Sequence, residues 1–193
     1  MHLEPRPQVM DFLLTRRSRP SKTLTAPAPS HDALRPILEA AARTPDHGKL
    51  EPWRFIVLEG DALTRLADLT RTLGAARAEL VEKLDKVVHA FASATQIVAV
   101  VASPTPSDKV PQIEQHLSAG AVCLAMVNAA LASGWGANWL TGWMAMDAEW
   151  LQAGLSLKQD EFVAGFIHLG TETSAPPDRP RPDLSAITQW VAE

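Results

Sequence analysis

The run Gln96-Ile97-Val98-Ala99-Val100-Val101-Ala102 limits what this chain can become more than any other segment. It is dense in β-branched residues, which suit a pleated strand. It shows no polar alternation, so it reads as a central strand of a sheet rather than a half-solvated one. Pro104 and Pro106 end it, because proline cannot donate to a ladder. Three further apolar stretches read as strands, at residues 54–59, 136–141 and 161–170.

Helical periodicity fills most of the intervals. Residues 9–16 place Val9, Phe12 and Leu13 on one face, and a Pro-rich loop follows over 19–29. Ser30 is a natural N-cap for a helix carrying Leu34, Ile37, Leu38 and Ala41, which Pro45 limits. A long amphipathic helical region is predicted over 61–91, from Leu63, Leu66, Leu69, Leu73, Leu80 and Leu84. Its charged side, Arg65, Arg71, Arg77, Glu79, Glu82 and Lys86, reads as a solvated surface. Residues 111–133 form an alanine-rich helix, apolar all round beyond Gly120 and therefore buried on most sides, with Gly134 as its C-cap. Asp147 caps a short helix through residue 155.

The tail over 175–182 is Pro/Arg-rich and extended, and a short segment follows to near Trp190. It has too little core to stand alone, so it is expected to lie across this subunit or a partner. With no regular βαβα repeat, the elements predict helices packed around one mixed sheet, in a single domain spanning 1–193.

Bulk properties narrow the setting. A net charge of −4 and a pI near 5.9 argue against a general nucleic-acid surface. The single cysteine, Cys123, cannot close an internal disulfide, which favours a reducing, cytoplasmic compartment. The N-terminal residues lack the apolar core of a signal peptide. The apolar segment 119–133, interrupted by Asn128, is shorter than the roughly 20 residues that span a bilayer. No membrane association is expected.

Two segments carry candidate chemistry. Arg16-Arg17-Ser18-Arg19 ends the first helix. Its arginines either favour the negative end of the helix dipole or, with the adjacent hydroxyl, hold a phosphate monoester. Arg43-Thr44-Pro45-Asp46-His47-Gly48-Lys49 leads into Pro52-Trp53-Arg54-Phe55 and concentrates basic and aromatic groups where a helix hands over to a strand. His47 is either a solvated loop residue or a ligand contact, and Trp53 reads as a core anchor. The sequence has no Gly-x-Ser-x-Gly elbow and no Walker loop. Gly134-Trp135-Gly136 follows a helix and precedes a strand, the reverse of a dinucleotide fingerprint. The histidines show no paired metal-ligand spacing, so no metal site is expected.

In this order, Arg16-Arg17-Ser18, Arg43-Thr44-Pro45-Asp46-His47, Trp139-Leu140-Thr141-Gly142, Gly165-Phe166-Ile167-His168-Leu169-Gly170-Thr171 and Pro176-Pro177-Asp178-Arg179-Pro180-Arg181-Pro182 resemble the FMN-dependent nitroreductase family, in its compact branch with the Pro-Asp-His loop. The resemblance covers nearly the whole chain. It implies an α+β, three-layer α/β/α fold with a mixed, mainly antiparallel sheet. It also implies a homodimer holding FMN at the subunit interface, and NADH or NADPH as electron donor to a nitroaromatic, quinone or similar small acceptor in a ping-pong cycle.

By the same resemblance Arg16, Arg17 and Ser18 contact the phosphate and ribityl side of FMN. Arg43, Pro45 and His47 come from the partner subunit, and Trp139, Leu140 and Thr141 lie near the isoalloxazine ring. Arg179 or Arg181 reaches the phosphate from the tail, with exposed tail charge as the other reading. No side chain is implied as a nucleophile, because the flavin carries the chemistry. Leu140 stands where relatives of this branch carry arginine, which leaves the substrate class open. An alternative is therefore a flavin-binding protein of the same fold with little turnover, acting in flavin handling or another flavin-dependent conversion. A cofactor-free interaction domain is the reading from a different class.

Overall fold

All seven residues of Gln96–Ala102 are buried in the computed structural model, which describes residues 4–80 and 82–193. The readings that touch residues 1–3 and 81 lie outside the described residues there. The strands are β1 (Leu24–Thr25), β2 (Trp53–Glu59), β3 (Gln96–Ala102), β4 (Gly136–Leu140) and β5 (Phe162–Glu172). The helices are α1 (Pro7–Thr15), α2 (His31–Ala41), α3 (Asp61–Ala75), α4 (Leu84–Ala92), α5 (Gln112–Ala132), α6 (Ala148–Leu155) and α7 (Leu184–Ile187).

The sheet order is β1-β5-β3-β2, with β4 also paired to β5. Every described pairing is antiparallel, the limiting case of the mainly antiparallel sheet expected. In β3, Val98 lies between Val57 of β2 and Ile167 of β5. Period-two alternation then divides β3 between two cores. Ile97, Ala99 and Val101 join Leu63, Leu66, Phe91 and Trp150 of α3, α4 and α6. Val98 and Val100 join Leu34, Ile37, Val122 and Met126 of α2 and α5. That division gives the three α/β/α layers.

The predicted 61–91 helical region is divided into two helices, α3 and α4, with a short turn of 3-10 helix at Ala78–Leu80 between them. Gly74 is buried, and a Cβ there would overlap the Leu84 side chain, so its absence lets α4 fold back onto α3. The apolar periodicity carries through the break because both helices bury one face in the same core. Two arginines of the supposed solvated side also have partners. Arg65 donates to the Gly154 carbonyl at 3.0 Å, and Arg77 pairs with Asp147 while stacking 4.6 Å from the Trp143 ring centroid. Arg71, Glu79, Glu82 and Lys86 are exposed as expected.

β1 was hidden in the Pro-rich loop, where two residues pair with Thr171 and Glu172. Helix α5 also departs from expectation. It buries Ala119, Val122, Cys123 and Met126 against the sheet but leaves Ile113, Leu117 and Leu124 exposed, because no element among the described residues covers that side. It is 21 residues long, and its buried face packs into the core.

One ion pair ties β2 to the start of β5. Arg54 donates Nε and Nη2 to the two Glu161 oxygens at 2.8 and 2.9 Å, and the Lys158 amide adds a bond at 3.0 Å. The Arg54 guanidinium holds the buried Glu161 carboxyl down at about 2. A depressed folded-state value means stability that is complete above the usual carboxylate range and is lost as pH falls toward 2. Denaturant midpoints measured from about pH 5 down to about pH 2.5 should therefore fall less steeply in Glu161→Gln than in the parent chain.

Candidate functional site

Helix α1 opens with Pro7, whose missing N–H costs nothing at that position. It ends at Arg16, where the backbone turns extended while its N–H still donates to the Phe12 carbonyl. The next residues are pinned to the sheet. The Arg19 amide donates to the Ala137 carbonyl at 2.8 Å, its guanidinium pairs with Glu172, and Nη1 donates to the Arg17 carbonyl at 3.0 Å. Arg19 thus shapes the turn, and Arg16, Arg17 and Ser18 face a cavity of about 220 Å³.

Arg179 and Arg181 of the tail line the same cavity, so the structure brings both predicted arginine groups together within one subunit. Arg17 lines this cavity, and its Nη1 is buried with no hydrogen-bond partner, the Asp178 carboxylate lying 4.0 Å away. Leaving a buried cationic donor without an acceptor is costly, so the cluster could take up an anion. Four guanidiniums and a hydroxyl suit a phosphate group better than a carboxylate, which carries less charge and fewer acceptor oxygens.

The loop carrying Arg43, Pro45 and His47 is separate from this cavity. It is fastened to α5 instead. The Trp53 indole donates to Ser118 Oγ at 3.1 Å, and that hydroxyl donates to the Pro45 carbonyl at 2.6 Å. His47 Nδ1 lies 3.3 Å from Glu114 Oε2 one turn earlier. His47, Lys49 and Glu51 all have positive φ, at 57, 66 and 45°, with Gly48 at 84° between them. Such conformations cost side-chain-bearing residues roughly 1–3 kcal/mol each and persist where surroundings enforce them, a pattern common at ligand clamps. Trp53 is half-buried beside Phe55 in the α2/α5 core, as its anchor reading expected.

Trp139, Leu140 and Thr141 close the strand end of β4. The Trp139 indole donates to the Ala164 carbonyl at 3.1 Å, beyond the part of β5 that β4 covers. Its ring lies over Gly165 and reaches toward Gly120 of α5, 4.0 Å from where a Cβ would stand. Gly165 is what permits this: an added Cβ would be 2.9 Å from Cys123 Sγ and closer still to the indole. Gly165→Ala should cost about 1–3 kcal/mol by overpacking and displace the Trp139 ring, which thermal melts combined with a flavin titration would register.

Ser118 and Gly120 are two residues apart, so they point about 200° apart around α5. The Pro45 end of the loop and the Trp139 ring therefore meet α5 on different sides. Sequence reading missed Ser118 and Glu114 as the loop's anchors and Gly165 as the seat of Trp139. A serine inside an apolar helix was the available signal for the first.

The remaining reactive groups are muted. Burial pushes the Cys123 thiol up to about 12 and the His168 imidazole down to about 4, so both are neutral near pH 7. Among the described residues no three His, Cys, Asp or Glu side chains converge on a metal-sized site.

The model of the nitroreductase family matches residues 13–171, which include Arg16 through Ser18, the His47 loop and the Trp139 segment. The chain belongs to the nitroreductase family. It is 33% identical over 162 residues to the Escherichia coli K12 protein named "Putative NAD(P)H nitroreductase YdjA", covering 84% of this chain and 87% of that one. In structure this nitroreductase superposes on a nitroreductase-like protein from Bacillus cereus with a TM-score of 0.81 at 20% identity, covering 99% and 98% of the two chains. A Desulfovibrio desulfuricans structure, described as a "putative nitroreductase in complex with FMN", aligns with a TM-score of 0.73 at 25% identity over 98% and 99%.

Proposed function

We propose that this nitroreductase is an FMN-dependent oxidoreductase that draws on NADH or NADPH and reduces a nitroaromatic, quinone or similar small acceptor in a ping-pong order. The observation that carries the reading is the buried, unpartnered Arg17 Nη1 in a cavity also lined by Arg16, Ser18, Arg179 and Arg181. Those residues would hold the FMN phosphate. Bound FMN supplies two-electron redox chemistry, so the protein needs no nucleophile or metal of its own. Trp139 through Thr141 would flank the ring, and backbone groups at that strand end would fix its orientation. The donor and the acceptor would use one open place in turn.

In this reading the working form is a homodimer. Leu117 and Leu124 of α5 and Val9, Met10, Leu13 and Leu14 of α1 are exposed apolar residues, at 44–71% of full exposure, and a second subunit would cover them. A partner would also deliver Arg43, Pro45 and His47 to the ring site, since the Pro45 end of the loop and the Trp139 ring of one subunit meet α5 on different sides. The exposed tail, with Leu184, Ile187 and Trp190, would lie across that partner. The buried single Cys123 is consistent with a reducing cytoplasm.

Leu140 favours a second reading, a flavin-handling protein of the same fold with little turnover, because the position carries no charge to meet an acceptor. A visible spectrum of the purified protein, followed by steady-state NADPH oxidation with nitroaromatic and quinone acceptors, separates the two. A yellow protein with turnover supports the first reading, and bound FMN without turnover the second. A colourless protein that takes up no FMN defeats both.

A further inference from the structure

We infer that Asp178 is a built-in counter-anion for the arginine cavity, occupying part of the field that a cofactor phosphate would otherwise neutralise, and so sets how strongly the phosphate contributes to binding. One oxygen does this: Asp178 Oδ1 accepts from the Arg179 amide at 2.7 Å and from Arg181 Nη2 at 3.3 Å, and lies 4.0 Å from Arg17 Nη1. Among the described residues it is the only carboxylate within 4.0 Å of an arginine lining the cavity. Its side chain is 84% exposed, so burial does not hold it in place; the surrounding cationic and amide groups do.

Four guanidiniums around about 220 Å³ repel one another, and a carboxylate among them relieves that repulsion while the cavity lacks another anion. A phosphate dianion entering the cavity satisfies Arg17 Nη1, which Asp178 at 4.0 Å does not reach within hydrogen-bond distance. It then meets Asp178 as a like charge. The carboxylate and the phosphate therefore compete for Arg17 and Arg181. The consequence is a cofactor held less tightly than four arginines alone would hold it.

This inference rests on reading the cavity as the FMN phosphate site, and the test separates the two. FMN and riboflavin, which lacks the phosphate, are titrated by flavin fluorescence into the full-length chain, Asp178→Asn and Asp183→Asn. Asp183 lies on the same tail and caps α7 rather than facing the arginines. Asp178→Asn should tighten FMN about three- to fivefold, in the range of exposed ion pairs, with riboflavin unchanged. The gain should shrink in high salt, and Asp183→Asn should show none. An unchanged or weaker FMN affinity in Asp178→Asn overturns the inference while leaving the phosphate site standing. An equal gain in Asp183→Asn also overturns it, by showing only diffuse tail charge. A parent chain that binds FMN no better than riboflavin removes the phosphate site and this inference with it.

Discussion

Arg17→Ala is expected to weaken FMN binding about 10- to 150-fold, with little change in thermal stability. The range follows from the loss of hydrogen bonds to a charged group, which contribute roughly 1.5–3 kcal/mol. Arg17 is the best choice among the arginines of the cavity because its Nη1 is buried and unpartnered, so nothing in the protein loses a hydrogen bond there when the guanidinium goes. Its only ion-pair partner among the described residues is the exposed Asp178, 4.0 Å away, and a surface pair of that kind contributes about 0–1 kcal/mol, which is why the fold should not suffer. Arg19 would be a poor substitute, since its guanidinium is engaged with Glu172 and the Arg17 carbonyl and its removal loosens the turn itself. Riboflavin affinity serves as the control: a loss shared by riboflavin would mean the substitution disturbed the ring site, not a phosphate contact. Arg17→Lys sharpens the test, because it keeps the charge but not the planar fork, and an intermediate affinity would point to geometry as well as charge.

Much of this architecture was legible locally. The β3 run declared its place through composition alone, and Ser30 and Asp147 each accept the backbone N–H that an N-cap should, from Ala33 and Trp150. What failed to show was decided by tertiary contact. The break between α3 and α4 depends on Gly74 meeting Leu84, and nothing in a continuous apolar periodicity signals a fold-back. β1 is two residues long, and only its ladder with Thr171 and Glu172 makes it a strand. The solvated reading of Arg65 and Arg77 missed partners at Gly154 and Asp147, about 90 and 70 positions away in the chain.

The candidate site divides in the same way. Residue types offered an anion site at Arg16-Arg17-Ser18 beside a helix-dipole role, and Arg19 of the same run is used to shape the turn. They did not tell that Arg179 and Arg181 would face the same cavity as Arg16 and Arg17, since that juxtaposition spans most of the chain. Nor could they reveal that the Pro45 end of the His47 loop and the Trp139 ring meet α5 on different sides, which follows from the helical phase of Ser118 and Gly120.

The largest stability effect is expected at Trp150, where alanine should cost about 3–5 kcal/mol, as for other buried large aromatics. Against a typical domain stability of roughly 5–15 kcal/mol, that loss would leave a substantially weakened fold. The residue is fully buried and joins three segments distant in the sequence: its ring centroid lies 5.6 Å from that of Phe91 on α4 and 5.8 Å from that of Phe166 on β5. Those two rings meet each other edge-on at 5.4 Å, so removing the indole takes a partner from both at once. The Trp150 indole also donates to Thr70 Oγ1 at 2.9 Å, and Thr70 is itself fully buried on α3. Trp150→Phe separates the two contributions. It keeps most of the ring and loses that bond, which contributes about 1 kcal/mol; Thr70 still donates to the Leu66 carbonyl, so only its acceptor role is stranded. Denaturant unfolding of both variants should therefore show the alanine loss exceeding the phenylalanine loss by at least about 1 kcal/mol. Equal losses would mean that the hydrogen bond, rather than aromatic packing under β5, holds α6 against the sheet.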